Sequence, residues 1–74
     1  MVSYKPLWRI LVEREISKRE LASLAGISAN TMTKLNKNEE VSMTILNKLC
    51  SALGVSYGDI IEYIPTEKGE ENNG

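Results

Sequence analysis

A three-residue turn between two short helical patterns constrains the fold of this 74-residue chain more than any other feature. Ser17 followed three residues later by Glu20 is a capping box, in which each side chain satisfies a backbone N–H group at the start of a helix. Gly26 ends that helix because glycine readily takes the left-handed conformation, and Ser28 can cap the next one. The two predicted helices span residues 18–25 and 29–36.

The residues of these two helices suit close packing at a tight turn. Small Ala22 can lie where the helices cross, and the inward-facing residues predicted for the first helix are Leu21, Ala22, Leu24 and Ala25. Apolar residues that can anchor the second helix are Ile27, Met32 and Leu35. Its outer side is small or hydrogen-bonding, as a surface in the major groove of DNA requires: Ala29, Asn30, Thr33 and Lys34. The sequence thus predicts a helix-turn-helix unit over 17–36.

The rest of the chain predicts three further helices and a pair of short terminal strands. Pro6 suits the first turn of a helix, where its missing N–H group is not needed. Ser42 can cap a later helix, which Gly54 ends. The further predicted elements are helices 6–14, 43–53 and 57–61, and a strand over 62–64 that can pair with 2–4. The predicted fold is all-α with five helices, and the two-stranded sheet is an additional option.

One domain accounts for residues 1–65, and the last nine residues differ in composition. The segment 66–74 is rich in Glu, Asn and Gly and has no core-forming residue, which predicts a disordered acidic tail with a net charge of −2. Residues 17–38 have a net charge of +3, from Lys18, Arg19, Lys34 and Lys37 against Glu20. The basic charge therefore coincides with the helix-turn-helix unit, although the whole chain has a net charge of −1.

The stretch SKRELASLAGISANTMTKLNKNEEVS resembles the lambda-repressor/Cro-like family, also called xenobiotic-response-element-type regulators. The matching pattern is a polar cap, Glu20-Leu21-Ala22, the turn Gly26-Ile27-Ser28, and an apolar residue three positions before Leu35. The opening VSYKPLW and the ending DIIEYIP resemble a compact bacterial or phage subgroup. The resemblance covers about residues 2–65 and implies a five-helix, lambda-repressor-like DNA-binding domain.

The resemblance also implies which residues face DNA. Asn30 can form two hydrogen bonds with an adenine edge, and Lys34 can reach guanine O6 or N7. Lys18 opens a helix whose N–H groups favour a phosphate. Asn38 stands where many relatives have glycine and can still take a left-handed turn. The implied base-contacting residues are Ser28, Ala29, Asn30, Thr33 and Lys34, and the implied phosphate-contacting residues are Lys18, Arg19, Lys37 and Asn38.

These roles predict a sequence-specific transcriptional regulator of double-stranded DNA, with repression as its output, that acts as a homodimer. Two copies about 34 Å apart would read a near-palindrome. The dimer contact has two options, the terminal strands or the apolar arc of the first helix, which carries Trp8 and Val12. The alternative function is a protein-interaction module of the same fold, whose partner is an antirepressor, a toxin or a larger regulator. The low net charge and the acidic tail favour that alternative.

Several other functional classes have no support in the sequence. The chain has no histidine and only one cysteine, Cys50, so it lacks a thiol–imidazole pair, an internal disulfide and a metal site of cysteine and histidine ligands. It has no glycine-rich phosphate loop, and its apolar runs are far shorter than the roughly 20 residues that span a bilayer. We therefore expect no enzyme activity, cofactor, metal, small-molecule ligand or membrane association, and a cytoplasmic location.

Overall fold

The computed structural model describes residues 1–65, so the predicted acidic tail over 66–74 lies outside the described residues. Four α-helices and one antiparallel sheet form this part of the chain. In chain order the elements are β1 (Val2–Ser3), α1 (Lys5–Arg14), α2 (Lys18–Ala25), α3 (Ala29–Asn36), α4 (Met43–Leu53), a 3-10 turn (Tyr57–Asp59) and β2 (Glu62–Tyr63). The four α-helices begin and end within one residue of the predicted bounds. None of the helices described is long and apolar enough to cross a membrane.

Local capping explains where α2 and α4 begin and end. The Ser17 hydroxyl accepts a hydrogen bond from the Glu20 N–H group at 3.0 Å, and the Glu20 carboxylate accepts one from the Ser17 N–H group at 2.8 Å. This reciprocal pair is the predicted capping box. Gly26 ends α2 and Gly54 ends α4, both in the left-handed conformation, with φ values of 70° and 68°.

The fifth predicted helix is wrong, because the chain after Gly54 forms a single 3-10 turn and not an α-helix through residue 61. The Asp59 carboxylate accepts a hydrogen bond from the Ser56 N–H group at 2.9 Å, which starts the turn as the sequence indicates. The turn ends early because the Ile60 side chain is fully buried and the chain must be extended at Glu62 to pair with β1. Two residues between turn and strand are too few for a further turn of α-helix.

One apolar core joins the four helices. Its fully buried aliphatic side chains are Leu7, Leu21, Leu35, Leu49 and Ile60. Leu24 was predicted to face inward, but its side chain is 62% exposed. The buried line of α2 runs from Leu21 to Ala25, one helical turn apart, and Leu24 projects beside that line into solvent. The apolar arc of α2 is therefore narrower than its sequence indicates.

The terminal strands form the two-stranded sheet that the sequence left as an option. β1 and β2 pair antiparallel, with Val2 opposite Tyr63 and Ser3 opposite Glu62. This pairing fixes the entry to α1 beside the exit from the 3-10 turn, and it brings both ends of the described chain to one side of the domain.

Tyr4 connects the end of β1 to the loop that follows α3. Its side chain is 1% exposed, and its hydroxyl donates a hydrogen bond to the Glu39 carbonyl oxygen at 2.7 Å. Burial is the main cause that raises the pKa of Tyr4 above its ordinary value of 10.0, and the nearby charge of Glu40 raises it further.

We expect the free energy of unfolding to fall as the pH rises above 10. In the unfolded chain the Tyr4 phenol ionises near pH 10.0, whereas the folded domain keeps it protonated to a higher pH. The stabilisation that the protonated Tyr4 phenol gives the folded state is therefore complete below pH 10. It is lost as the pH rises through the raised pKa of Tyr4 in the folded state. Urea unfolding from neutral to strongly alkaline pH measures this loss. Tyr4→Phe cannot ionise and should show a weaker pH dependence, and identical pH dependence in both proteins would contradict the assignment.

Candidate nucleic-acid interface

α3 is attached to the domain by one face and leaves the other open. The Leu35 side chain is fully buried, and Met32 and Ile27 pack partly buried against the same core. The Ser28 hydroxyl accepts a hydrogen bond from the Thr31 N–H group at 3.1 Å and so sets the first turn of the helix. α3 is therefore a well-supported platform for the side chains that point away from the core.

The open face of α3 carries the residues that the sequence placed there, since Ala29, Asn30, Thr33 and Lys34 are all exposed. Asn30 and Lys34 are four residues apart on the helix, so their side chains are neighbours on one face. Within residues 1–65, the hydrogen bonds of this helix involve neither the Asn30 amide nor the Lys34 ammonium. Both groups are therefore available to an external ligand.

The two hydroxyl groups at this face are already engaged within the helix. The Thr33 hydroxyl donates to the Ala29 carbonyl oxygen at 3.0 Å, and the Ser28 hydroxyl bonds to the Thr31 hydroxyl at 3.1 Å in addition to its capping bond. A hydroxyl has one proton to donate, so Thr33 presents acceptor lone pairs and a methyl group outward. Thr33 can therefore accept a hydrogen bond from a donor group of a ligand.

Lys18 connects three helices at the start of α2. Its ammonium donates a hydrogen bond to the Asn36 side-chain oxygen at 2.7 Å and lies 4.3 Å from the centre of the Trp8 ring. No local sequence pattern predicts either contact, and Trp8 and Asn36 join the site as residues that position Lys18. An ammonium has three N–H donors, and two of them remain for a phosphate.

The structure gives Asn38 a structural contact that the sequence analysis did not predict. Its φ of 57° is left-handed, as expected of a residue that replaces glycine. Its side-chain oxygen accepts a hydrogen bond from the Tyr4 N–H group at 3.0 Å, which ties the start of α1 to the loop after α3. Only the amide NH2 group of Asn38 is left for a phosphate, whereas the side chains of Arg19 and Lys37 are exposed.

The chain matches a known protein family. The family of Cro/C1-type HTH DNA-binding domains matches residues 6–66, which is most of the chain. The chain belongs to this family. The family is one of DNA-binding domains, and the matched residues include α2, the turn at Gly26 and α3. Among curated proteins, none matches the chain.

A solved structure supports the same architecture over nearly the whole domain. The crystal structure of the transcriptional regulator VanUg, in its form II, matches this chain with a TM-score of 0.84 and 46% sequence identity. The match covers 88% of this chain and 87% of the VanUg chain. The similarity therefore extends well beyond the helix-turn-helix.

The Cro/C1-type domain has a further cation at the turn that the sequence analysis did not assign to the site. The Lys48 ammonium, on α4, lies 3.5 Å from the Gly26 carbonyl oxygen. The sequence indicates α4 as a core helix, because Leu46 and Leu49 are its inward residues. No local sequence pattern indicates what the outer residues of α4 lie beside. Only the packing of α4 against α2 shows that Lys48 lies beside the turn.

We expect Asn38→Ala to destabilise the Cro/C1-type domain more than Asn38→Gly. Both variants lose the hydrogen bond from the Tyr4 N–H group, which is worth about 0.5–1.5 kcal/mol. Alanine must in addition adopt the left-handed conformation, at a cost of about 1–2 kcal/mol that glycine avoids. Thermal unfolding followed by circular dichroism should give the order wild type, glycine, alanine from highest to lowest Tm. Equal Tm values for the two variants would show that the left-handed backbone is not maintained.

Proposed function

We propose that this domain is a sequence-specific transcriptional repressor that acts as a homodimer and reads double-stranded DNA with α3 in the major groove. The observation that carries the proposal is the exposed pair Asn30 and Lys34, one turn apart on a helix that buried Leu35 anchors. Membership of a family of DNA-binding domains supports it, as does the similarity to VanUg, which is described as a transcriptional regulator.

The open face of α3 offers two kinds of base recognition. The Asn30 amide can make paired hydrogen bonds to adenine N6 and N7, and the Lys34 ammonium can donate to guanine O6 or N7. Thr33 accepts from a base amino group, because its own proton is bonded to the Ala29 carbonyl oxygen. The small Ala29 side chain lets the start of α3 approach the bases closely and can contact a thymine methyl group. The Ser28 hydroxyl, which caps the helix, adds an acceptor at the edge of this face.

The phosphate contacts come from the cations around this face. Lys18 is held at the start of α2 by Asn36 and Trp8. The other contributors are exposed Arg19 and Lys37 and the free NH2 group of Asn38. Such contacts fix the orientation of a protein on the duplex without specifying its sequence.

We expect Lys37→Ala to weaken DNA binding by a similar factor on all sequences. Loss of one phosphate contact releases one fewer counterion, so the slope of log affinity against log salt should become shallower by about 1. Fluorescence anisotropy with a labelled duplex over a series of salt concentrations measures the slope. An unchanged slope would remove Lys37 from the phosphate contacts.

Repression requires only that the bound domain occupies a promoter. A protein seated in the major groove excludes other proteins from the same base pairs, and no additional activating surface is needed. Binding of the domain to genomic DNA also agrees with the cytoplasmic location that the sequence predicts.

Selection from a pool of random duplexes tests the proposal. We expect enrichment of a near-palindrome whose half-sites are about one helical turn apart, because one α3 offers few base contacts and two copies are needed. The control is the same selection with Asn30→Ala/Lys34→Ala, which should enrich no sequence. If the folded wild-type protein enriches no sequence at low salt, the proposal is wrong.

We assign no reaction to this domain. Cys50 is the sole thiol of the chain, and it is half-buried on α4. Burial, and to a lesser extent the charge of Asp59, raises the pKa of this thiol above its ordinary value. A raised pKa lowers the thiolate fraction, and the thiolate is the nucleophile. The position of Cys50 is that of a packing residue.

A further inference from the structure

The outer face of α1 carries an apolar pair beside a row of charged residues. Val12 is 77% exposed, and Trp8, one turn before it, is half-buried. The opposite face of the helix carries Leu7 and Leu11, which are buried in the core. An open groove of about 350 Å³ follows the outer face and is lined by Lys5, Trp8, Arg9, Val12 and Glu13. These five residues define the α1 outer face.

The charges on the α1 outer face are ordered along the helix. Lys5 begins the helix, Arg9 lies at its middle and Glu13 lies near its C-terminal end. A two-fold axis across the helix reverses this order in a second copy, so the basic half of each helix meets the acidic half of the other. The face is therefore complementary to itself.

Helix geometry gives the register of this contact. We place the two-fold axis at the level of Ile10 along the helix, midway between Trp8 and Val12. With a rise of about 1.5 Å per residue, Trp8 of one copy then lies level with Val12 of the other. In the same register, Glu13 of one copy lies about 3 Å along the helix axis from both Lys5 and Arg9 of the other. Arg9 also lies about 3 Å along the axis from Arg9 of the other copy, so four attractive pairs that involve Glu13 stand against one like-charge pair. One arrangement therefore covers the exposed apolar pair and places each Glu13 beside two basic residues.

The terminal sheet is less suited to a second copy. Tyr63 is 77% exposed and Met1 is 61% exposed, so this surface is also partly apolar. The groove beside them, however, is lined by two carboxylates, Glu40 and Glu62, against one cation, the Met1 ammonium, which already donates a hydrogen bond to the Ile64 carbonyl oxygen at 2.8 Å. A two-fold contact there would bring four carboxylates together with only two ammonium groups, and such an excess of like charge disfavours association.

We propose that the α1 outer face is the homodimer surface and that its occupant is a second copy of this chain, packed antiparallel along α1. The inference rests on the proposed function, which needs two copies on one operator. Two helices of ten residues meet over only about 15 Å, and the contact is smaller than a standard protein interface. Self-association without DNA is therefore weak, with a micromolar dissociation constant, and binding to adjacent half-sites strengthens it.

Sedimentation of the whole 74-residue chain without DNA, across the micromolar concentration range, tests the surface. Glu13→Lys makes the α1 outer face wholly basic, and Lys5→Glu/Arg9→Glu makes it wholly acidic. Each variant should raise the dimer dissociation constant about tenfold or more, because like charges then meet. An equimolar mixture of the two variants should form a heterodimer with an affinity near that of the wild type. Trp8 is the one tryptophan of the chain, so its emission should shift to shorter wavelength as the wild type dimerises.

Tyr63→Lys is the matched control at the terminal sheet and should leave the dissociation constant unchanged. The inference is overturned if the wild type stays monomeric throughout this range. It is also overturned if Tyr63→Lys disrupts the dimer and Glu13→Lys does not. Failure of this surface is distinguishable from failure of the proposed function: a monomer that still selects a duplex sequence refutes the surface alone. A dimer that selects no sequence refutes the function and keeps the surface.

Discussion

Replacing Asn30 and Lys34 together by alanine should abolish sequence-specific DNA binding while leaving the fold unchanged. Both side chains are exposed and make no hydrogen bond within residues 1–65, so their loss costs the folded state little. Each contact of this kind discriminates between bases by about 1–3 kcal/mol, and losing both should weaken binding to the selected site about 100-fold or more. Electrophoretic mobility shift or anisotropy titrations with the selected duplex measure the change.

The residual binding of this double variant distinguishes base contacts from charge. Lys18, Arg19 and Lys37 remain, so binding to unrelated duplexes at low salt should weaken far less than binding to the selected site. Thr44→Ala and Ser51→Ala remove exposed polar side chains of α4 and serve as matched controls that keep full affinity. If the domain instead binds a protein partner through another face, the double substitution should leave that binding unchanged. Full retention of site-specific DNA binding by the double variant would contradict the role of α3.

Leu35→Ala should be the most destabilising single substitution on α3. Leu35 is fully buried and is the one residue of α3 that lies entirely within the core. Truncation of such a leucine removes about 2–5 kcal/mol, a large share of the roughly 5–15 kcal/mol that stabilises a typical domain. In a domain of this size we expect Tm to fall by about 10–20 °C, with DNA binding lost as α3 detaches.

Leu24→Ala is the control for this prediction, because the same side chain is removed from a site that is 62% exposed. Its effect on the free energy of unfolding should stay within about 0.5 kcal/mol. Urea unfolding of the two variants under the same conditions compares them directly. Similar losses in both would mean that α3 is not anchored through Leu35.

The helical bounds could be predicted because they depend on local chemistry. The reciprocal bonds of Ser17 and Glu20 and the left-handed glycines Gly26 and Gly54 act within a few residues of chain, so the sequence itself specifies them. Leu24 was misplaced because helical periodicity locates the centre of an apolar arc and does not fix its width. The fifth helix was too long because the pairing of β2 with β1, which ends the turn, joins distant parts of the chain.

In the candidate site, too, features that depend on nearby residues could be predicted, and contacts between distant residues could not. The exposure of Asn30, Thr33 and Lys34 follows from helical periodicity once Leu35 is known to face inward. The contacts of Lys18 with Asn36, and of Asn38 with Tyr4, join residues 18 and 34 positions apart. No local pattern specifies such pairs, since they depend on how α1, α2 and α3 pack together.

The most direct test of the central claim, that α3 reads DNA bases, is an NMR titration of the labelled protein with the duplex that it selects. We predict that the largest amide shift changes fall in residues 28–34, that smaller changes occur near Lys18, Arg19 and Lys37, and that the Asn30 side-chain amide shows contacts to base protons in the major groove. Shift changes centred on another face, with α3 unperturbed at saturation, would contradict the account.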